Sequence, residues 1–167
     1  YLKATNKSAH GLLKLFTRLE QQNLLLPERQ NPYLQSHPLT KNRRIFVKNF
    51  IETSNYSPKA LTALEKQKHR RMVAKLYAFI NSPSKTFARY PETNKSLAAR
   101  YARAIAYHKV PNLAKALFEL DSLLDQFPND PWFYELKGQI LFENGKLQKC
   151  IDPYQKSTDL RPNEPLI

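Results

Sequence analysis

Apolar residues recur at helical spacing along most of the chain. Between Ser8 and Gln22, the residues Leu12, Leu13, Phe16 and Leu19 share one face, which predicts a helix. Leu24-Leu25-Leu26-Pro27 ends it, and Glu28 to Thr40 reads as a loop carrying Asn31-Pro32 and His37-Pro38. The residue before each proline is pushed away from helical geometry. Lys41 to Glu52 predicts a second helix with Ile45, Phe46 and Phe50 turned inward, followed by a turn at Ser54 to Ser57. Ser57 suits a cap and Pro58 the first turn of a third helix. That helix is expected to run to about Ile80, with Leu61, Leu64, Met72, Leu76 and Ile80 along its apolar side. Ser82-Pro83 breaks it, and Tyr90-Pro91-Glu92 opens another loop. The pattern predicts an all-α fold built from helical hairpins.

The last 70 residues repeat. Shifted by 34, Ala104 falls on Gly138, Tyr107 on Leu141, Ala116 on Cys150, Leu120 on Tyr154, Asp125 on Asp159 and Pro128 on Pro162. A 34-residue period is that of the tetratricopeptide repeat (TPR), a helix–turn–helix unit that stacks into an α-solenoid. Small residues stand where two helices must cross closely, namely Ala104 and Gly138 on first helices and Ala116 and Cys150 on second helices. Gly145 falls in the turn of the second unit, where glycine adopts a positive φ at little cost. The units are expected at 97–130 and 131–164, with Pro165-Leu166-Ile167 starting a third. Each unit leaves an apolar face for its neighbour, so the array should dock on the preceding helices or continue past Ile167.

Composition narrows the function classes. Of 167 residues, 27 are Lys or Arg and 14 are Asp or Glu, a net charge of +13. The charge is uneven: residues 1–110 carry 21 basic residues against five Glu, and residues 111–167 carry six against nine acidic ones. Such asymmetry fits a nucleic-acid or membrane surface, or a solvated basic helical face. The basic stretch lacks the interleaved aromatics of a base-stacking platform, which disfavours nucleic acid as a partner and leaves peripheral membrane contact open. No apolar run approaches the roughly 18 residues of a membrane span. No apolar core of a signal peptide follows Tyr1. A single cysteine, Cys150, rules out an intrachain disulfide framework.

Catalytic motifs are missing from this stretch of sequence. It contains no His-Glu-x-x-His pair, Gly-x-Ser-x-Gly elbow, Walker loop or dinucleotide fingerprint. Histidines 10, 37, 69 and 108 do not recur at metal-ligand spacing. Cys150 fits the small-residue slot of a repeat helix better than a nucleophile's role. This segment is therefore expected to bind no metal by itself and to be inactive alone. His37 stands out, because prolines fix the backbone of Ser36-His37-Pro38 and Arg43 and Arg44 follow. An imidazole held there serves as a ligand, a hydrogen-bond partner or a gate; a loop histidine bonded to backbone is the plainer alternative.

Several strings together resemble one family. Tyr1-Leu-Lys-Ala-Thr-Asn-Lys-Ser-Ala-His-Gly11-Leu-Leu, Pro32-Tyr-Leu-Gln-Ser-His-Pro38 with Arg43, and Ala74-Lys-Leu-Tyr-Ala-Phe79 are three of them. Arg89-Tyr-Pro91, Ala99-Arg-Tyr-Ala-Arg-Ala-Ile-Ala-Tyr107 and Glu135-Leu-Lys-Gly-Gln-Ile-Leu-Phe-Glu-Asn-Gly145 are the others. In this order and spacing they resemble bacterial periplasmic zinc metalloproteases bearing C-terminal TPRs, the BepA type. The resemblance implies a C-terminal portion of such an enzyme, in the periplasm or cell envelope, acting in envelope protein quality control. It implies zinc in the full-length protein, held by an upstream peptidase domain, with His37 and Arg43 metal-proximal or regulatory. By the same resemblance, 1–40 is the end of a metallopeptidase-like domain with the His-Pro loop, 41–96 are connecting helices and 97–167 are TPRs.

First helices of TPRs line a concave groove. That expectation places Tyr101, Ile105, His108 and Lys109 on one unit and Trp132, Glu135, Gln139 and Phe142 on the next as a peptide-binding groove. Aromatics mixed with polar groups suit an extended peptide, a client or an outer-membrane protein. Inter-repeat packing is the alternative for Tyr101 and Phe142, and a core anchor for Trp132. A non-catalytic TPR adaptor or chaperone that binds peptides is the second functional reading.

Overall fold

The computed structural model describes residues 2, 8–24, 40–54 and 61–164. Among them are eight α-helices and no strand. The chain divides into two compact units, Tyr1–Leu61 and Thr62–Ile167. The fold is all-α, with helical hairpins and a TPR-type α-solenoid at the C-terminal end. No described helix is long and apolar enough to cross a membrane.

The first unit pairs α1 (His10–Leu24) with α2 (Thr40–Thr53). Ser8 sits ahead of α1 and accepts a hydrogen bond from the His10 N–H through its side chain. Arg44 of α2 reaches Glu20 of α1 at 2.8 Å. The buried side chain of α2 is Val47, whereas Ile45 is 42% and Phe46 72% exposed. The inward face expected through Ile45 and Phe46 is therefore rotated onto Val47, with Phe50 half-buried. Leu13 and Phe16 of α1 are half-buried, and Leu12 and Leu19 stay exposed.

The second unit begins with α3 (Ala63–Ile80). Its start is set by a capping box: Thr62 accepts from the Glu65 N–H, and Glu65 accepts from the Thr62 N–H at 2.9 Å. The expected cap at Ser57 lies outside the described residues. The expected apolar side of α3 is also displaced. Leu61, Leu64, Met72, Leu76 and Ile80 are all more than half exposed, and Ala74 and Ala78 are fully buried against α5. Two alanines one turn apart let the two helix backbones approach closely, which large side chains on that face would prevent. After Ser82 caps it, Pro83 opens a short helix, α4 (Pro83–Arg89), that periodicity alone does not announce.

Two hairpins follow in strict register. Helix α5 (Leu97–Lys109) and helix α6 (Leu113–Gln126) are reproduced 34 residues later by α7 (Pro131–Glu143) and α8 (Leu147–Leu160). The closing bonds of the two turns recur. Asn112 N donates to Tyr107 O at 2.9 Å, and Lys146 N donates to Leu141 O at 2.8 Å. Ala104 and Ala116 are fully buried and Cys150 nearly so. At Gly138 an added Cβ would lie 2.8 Å from the Tyr154 ring, so a first helix touches its partner there without room for a side chain. Gly145 has φ +70°, the left-handed conformation its turn requires. The core joins Tyr101, Ile105, Leu120, Leu123, Phe133, Leu136 and Ile140. At its edge, fully buried Arg103 donates to Glu119 at 2.6 Å and to the carbonyls of Pro91 and Asn94 at 2.8 Å each.

Candidate protein-binding groove

The starts of α3, α5 and α7 lie at 63, 97 and 131, so α3 occupies the register of a first repeat helix one period ahead of α5. Its pairing with α5 is parallel: Arg71 faces Tyr101 near the start, and the C-terminal end of α3 faces Lys109. With α4 reduced to seven residues, α3 lacks the long second helix that α5 and α7 possess. The first-helix layer thus consists of α3, α5 and α7, and α3 covers the α5 part of the surface where a groove is expected.

Charged side chains of α3 bridge to the start of α7. The Arg71 guanidinium grips Asp130 with two nitrogens, one of them at 2.6 Å. The same group stacks 4.2 Å from the Phe133 ring centroid and 5.2 Å from that of Tyr101. Planar guanidinium chemistry fits both demands at once, a carboxylate fork and aromatic faces. Asp130 also accepts from the Trp132 N–H at 3.1 Å, so one carboxylate caps α7 and fixes α3. One turn further, Lys75 donates to Glu135 at 3.1 Å and lies 5.6 Å from the Trp132 ring centroid. Lys109 donates to the carbonyls of Ala78, Phe79 and Asn81 at 3.1, 3.0 and 2.6 Å. A cation on the unpaired carbonyls at a helix C-terminus satisfies them and complements the helix dipole.

These contacts place the sequence-named residues. Tyr101 and Ile105 are buried beneath α3, and burial pushes the Tyr101 phenol far above its ordinary value. Its hydroxyl donates to the Trp132 carbonyl at 3.4 Å. Lys109 and Glu135 are engaged by α3 as described. Trp132 and Gln139 are half-buried and Phe142 is 55% exposed, so α7 keeps an accessible face. At the far end of that face, Glu143 accepts from Gln139 at 2.8 Å and pairs with His108 at 2.6 Å. Those two bonds, Gln139 first, hold the Glu143 carboxyl below the usual carboxylate range. Asn144 donates to the other ring nitrogen of His108 at 3.3 Å, which leaves the Nε2 hydrogen for Glu143. Arg43 is exposed on α2, in the first unit. His37 lies outside the described residues.

Among the described residues no group of three or more His, Cys, Asp or Glu is placed to hold a metal ion. Arg71, Lys75 and Asp130, which organise the groove wall, were not singled out by hydropathy. The signals that point to them are the basic run ending at Arg71 and the 34-residue offset between Ala63 and Leu97. Between α3 and the start of α7 lies a cleft of about 510 Å³, with Lys68, Met72, Trp132 and Arg161 on its walls.

The chain is similar to a human protein named tetratricopeptide repeat protein 13, with 31% identity over 72 residues. The matched stretch is 40% of this chain and 8% of the human protein, so this chain spans a small part of that relative. No family model matches the sequence. No solved structure matches it.

Proposed function

We propose that the second unit is a platform that holds polypeptide clients for a zinc-dependent endopeptidase of envelope protein quality control. A TPR-type solenoid supports a protein-interaction role, and that is the part the human relative bears on. The observation that carries the reading is the accessible face of α7. There Trp132, Gln139 and Phe142 form a row of aromatic and amide groups, and Arg71 and Lys75 fix the helix that bears them. Aromatic rings give contact area at low entropic cost, and amides pair with an extended backbone.

The peptidase context rests on the resemblance of the quoted strings, from Tyr1-Leu-Lys-Ala-Thr through Glu135-Leu-Lys-Gly. It brings with it a periplasmic or envelope location, an upstream peptidase domain that holds the zinc, and a metal-proximal or regulatory role for His37 and Arg43. The described residues offer no donor set for zinc, so no chemical step is assigned to them. Reading the coding sequence that contains this chain tests the context directly: a His-Glu-x-x-His helix upstream supports it, and a reading frame without one defeats it. The second reading, a TPR adaptor or chaperone without a peptidase, draws on the human match lying with a repeat protein. That reading predicts client binding with no dependence on zinc or on an upstream domain.

A further inference from the structure

Helix α3 turns two very different faces outward and inward. Its inward face is Ala74 and Ala78. Its outward face is a continuous apolar row at four-residue spacing: Leu64 58%, Met72 52%, Leu76 53% and Ile80 78% exposed, with Lys68 filling the one gap. Exposed apolar residues scattered singly need no explanation, but a row along an entire 18-residue helix marks an interaction surface. The row meets the cleft of about 510 Å³ at Met72, which lines it together with Trp132 of α7.

Charge selects the occupant. Helix α3 and its cap carry five basic residues, Lys66, Lys68, Arg70, Arg71 and Lys75, against one acid, Glu65. Arg71 and Lys75 spend their charge on Asp130 and Glu135. Lys68 and Arg161, both of which line the cleft, have no ion-pair partner among the described residues, and both are exposed. The cleft is otherwise lined by Met72, Tyr101, Pro131 and Trp132, by Asn129, and by Arg71, Lys75 and Asp130, whose charges are already paired. Two free cations beside the apolar surface of Met72 and Trp132 match a segment that offers apolar side chains to that surface and carboxylates to the cations. A flat lipid surface meets the row but does not enter a concavity between two helices.

We propose that this surface binds an acidic amphipathic segment of a partner protein, with apolar side chains on Met72, Leu76 and Trp132 and carboxylates on Lys68 and Arg161. The proposal deepens the protein-binding reading and rests on it, but centres the contact on α3 and Trp132 at the start of α7 rather than on Gln139 and Phe142. The test is fluorescence anisotropy of the full chain with a labelled 16-residue helical peptide. The peptide carries Leu at i, i+4 and i+8 and Glu on both flanks; a control peptide carries Lys in place of Glu. The expected result is saturable binding of the acidic peptide alone, weakened about tenfold or more by Lys68→Glu with Arg161→Glu and by added salt. Met72→Ser with Leu76→Ser should abolish it with only a small loss of thermal stability, from the lower helix propensity of serine and the half of each side chain that is buried. Equal binding of the two peptides overturns the proposal. So does binding only to vesicles of phosphatidylglycerol and phosphatidylcholine, or self-association in sedimentation that the Met72→Ser, Leu76→Ser variant removes. Loss of the cooperative thermal transition in that variant also overturns it, because it shows the row to be part of the core. Should unfolded clients bind through Phe142 while the acidic peptide does not bind, this proposal fails and the protein-binding reading stands. If neither ligand binds, both fail.

Discussion

Arg103 offers the sharpest test of how the solenoid is held. It is 1% exposed, its Nε lies 2.6 Å from Glu119, and it ties the loop after α4 to the α5–α6 hairpin through two carbonyls at 2.8 Å. Arg103→Met keeps most of the stem and removes the charge. Breaking a buried pair by deleting one partner costs about 3–5 kcal/mol, because the remaining charge is stranded. Here Arg100 stays 3.5 Å from Glu119 and offsets part of that, which favours the lower end of the range. The freed Pro91 and Asn94 carbonyls belong to exposed residues that water reaches, so they add about 1 kcal/mol at most. The expected loss is therefore about 3–4 kcal/mol, a large fraction of a typical domain's stability. The unit spans 106 residues, for which 1 kcal/mol shifts Tm by about 4 °C, so Tm should fall by about 12–16 °C. Urea unfolding followed by circular dichroism at 222 nm reads the free energy. In a Glu119→Gln background the same substitution should cost at least about 1 kcal/mol less, since the stranded charge is gone. A loss under about 1 kcal/mol, or full additivity of the two substitutions, would show that Glu119 is not left as a stranded buried charge.

Three further outcomes follow from the same contacts. Gly138→Ala places a Cβ 2.8 Å from the near end of the Tyr154 ring, so overpacking of about 1–3 kcal/mol should outweigh the helix preference of alanine. Thermal unfolding should show a lowered Tm, and the loss should be smaller in a Tyr154→Ala background, where the Cγ and Cδ atoms that the new Cβ meets are gone. Lys109→Met removes three bonds to the carbonyls at the end of α3, and hydrogen exchange in that last turn should quicken about tenfold while α7 and α8 are unchanged. Glu143 and Glu92 are both held below the ordinary carboxylate value of 4.5, Glu92 mainly by the Tyr107 hydroxyl and then by Lys115. A lowered folded-state value means that their contribution is complete above the unfolded value and is lost as pH falls through the folded one. Stability should therefore be level in this respect above about pH 5 and decline below about pH 4.5, less steeply in the Glu92→Gln, Glu143→Gln variant.

The repeats were legible because their constraints act on residue size. A close helix crossing admits only Ala104, Gly138, Ala116 or Cys150, and a left-handed turn favours Gly145, so a period of 34 survives in the sequence. Helix α3 was misread on the same scale. Periodicity assigns the large apolar row to the interior, but the helix packs through Ala74 and Ala78 and leaves Leu64, Met72 and Leu76 outside. In α2 the neighbouring Val47, not Phe46, is the buried residue, for hydropathy does not say which of two adjacent apolar positions faces a partner. Buried charge escaped entirely: Arg103 and Glu119 look like surface residues until each is seen to satisfy the other. Of the groove, Trp132, Gln139 and Phe142 were placed by register alone, while the cover over Tyr101 and Ile105 depends on a helix whose repeat lacks a full second half.

The central claim is that the solenoid binds polypeptide through the accessible face of α7. Isothermal titration of the full chain with an unfolded outer-membrane β-barrel polypeptide tests it most directly, with Phe142→Ala and Trp132→Ala compared side by side. Saturable heat is expected for the native chain and affinity reduced at least about tenfold in the variants, with folding intact by circular dichroism. No heat with the native chain, or native affinity in both variants, would overturn it.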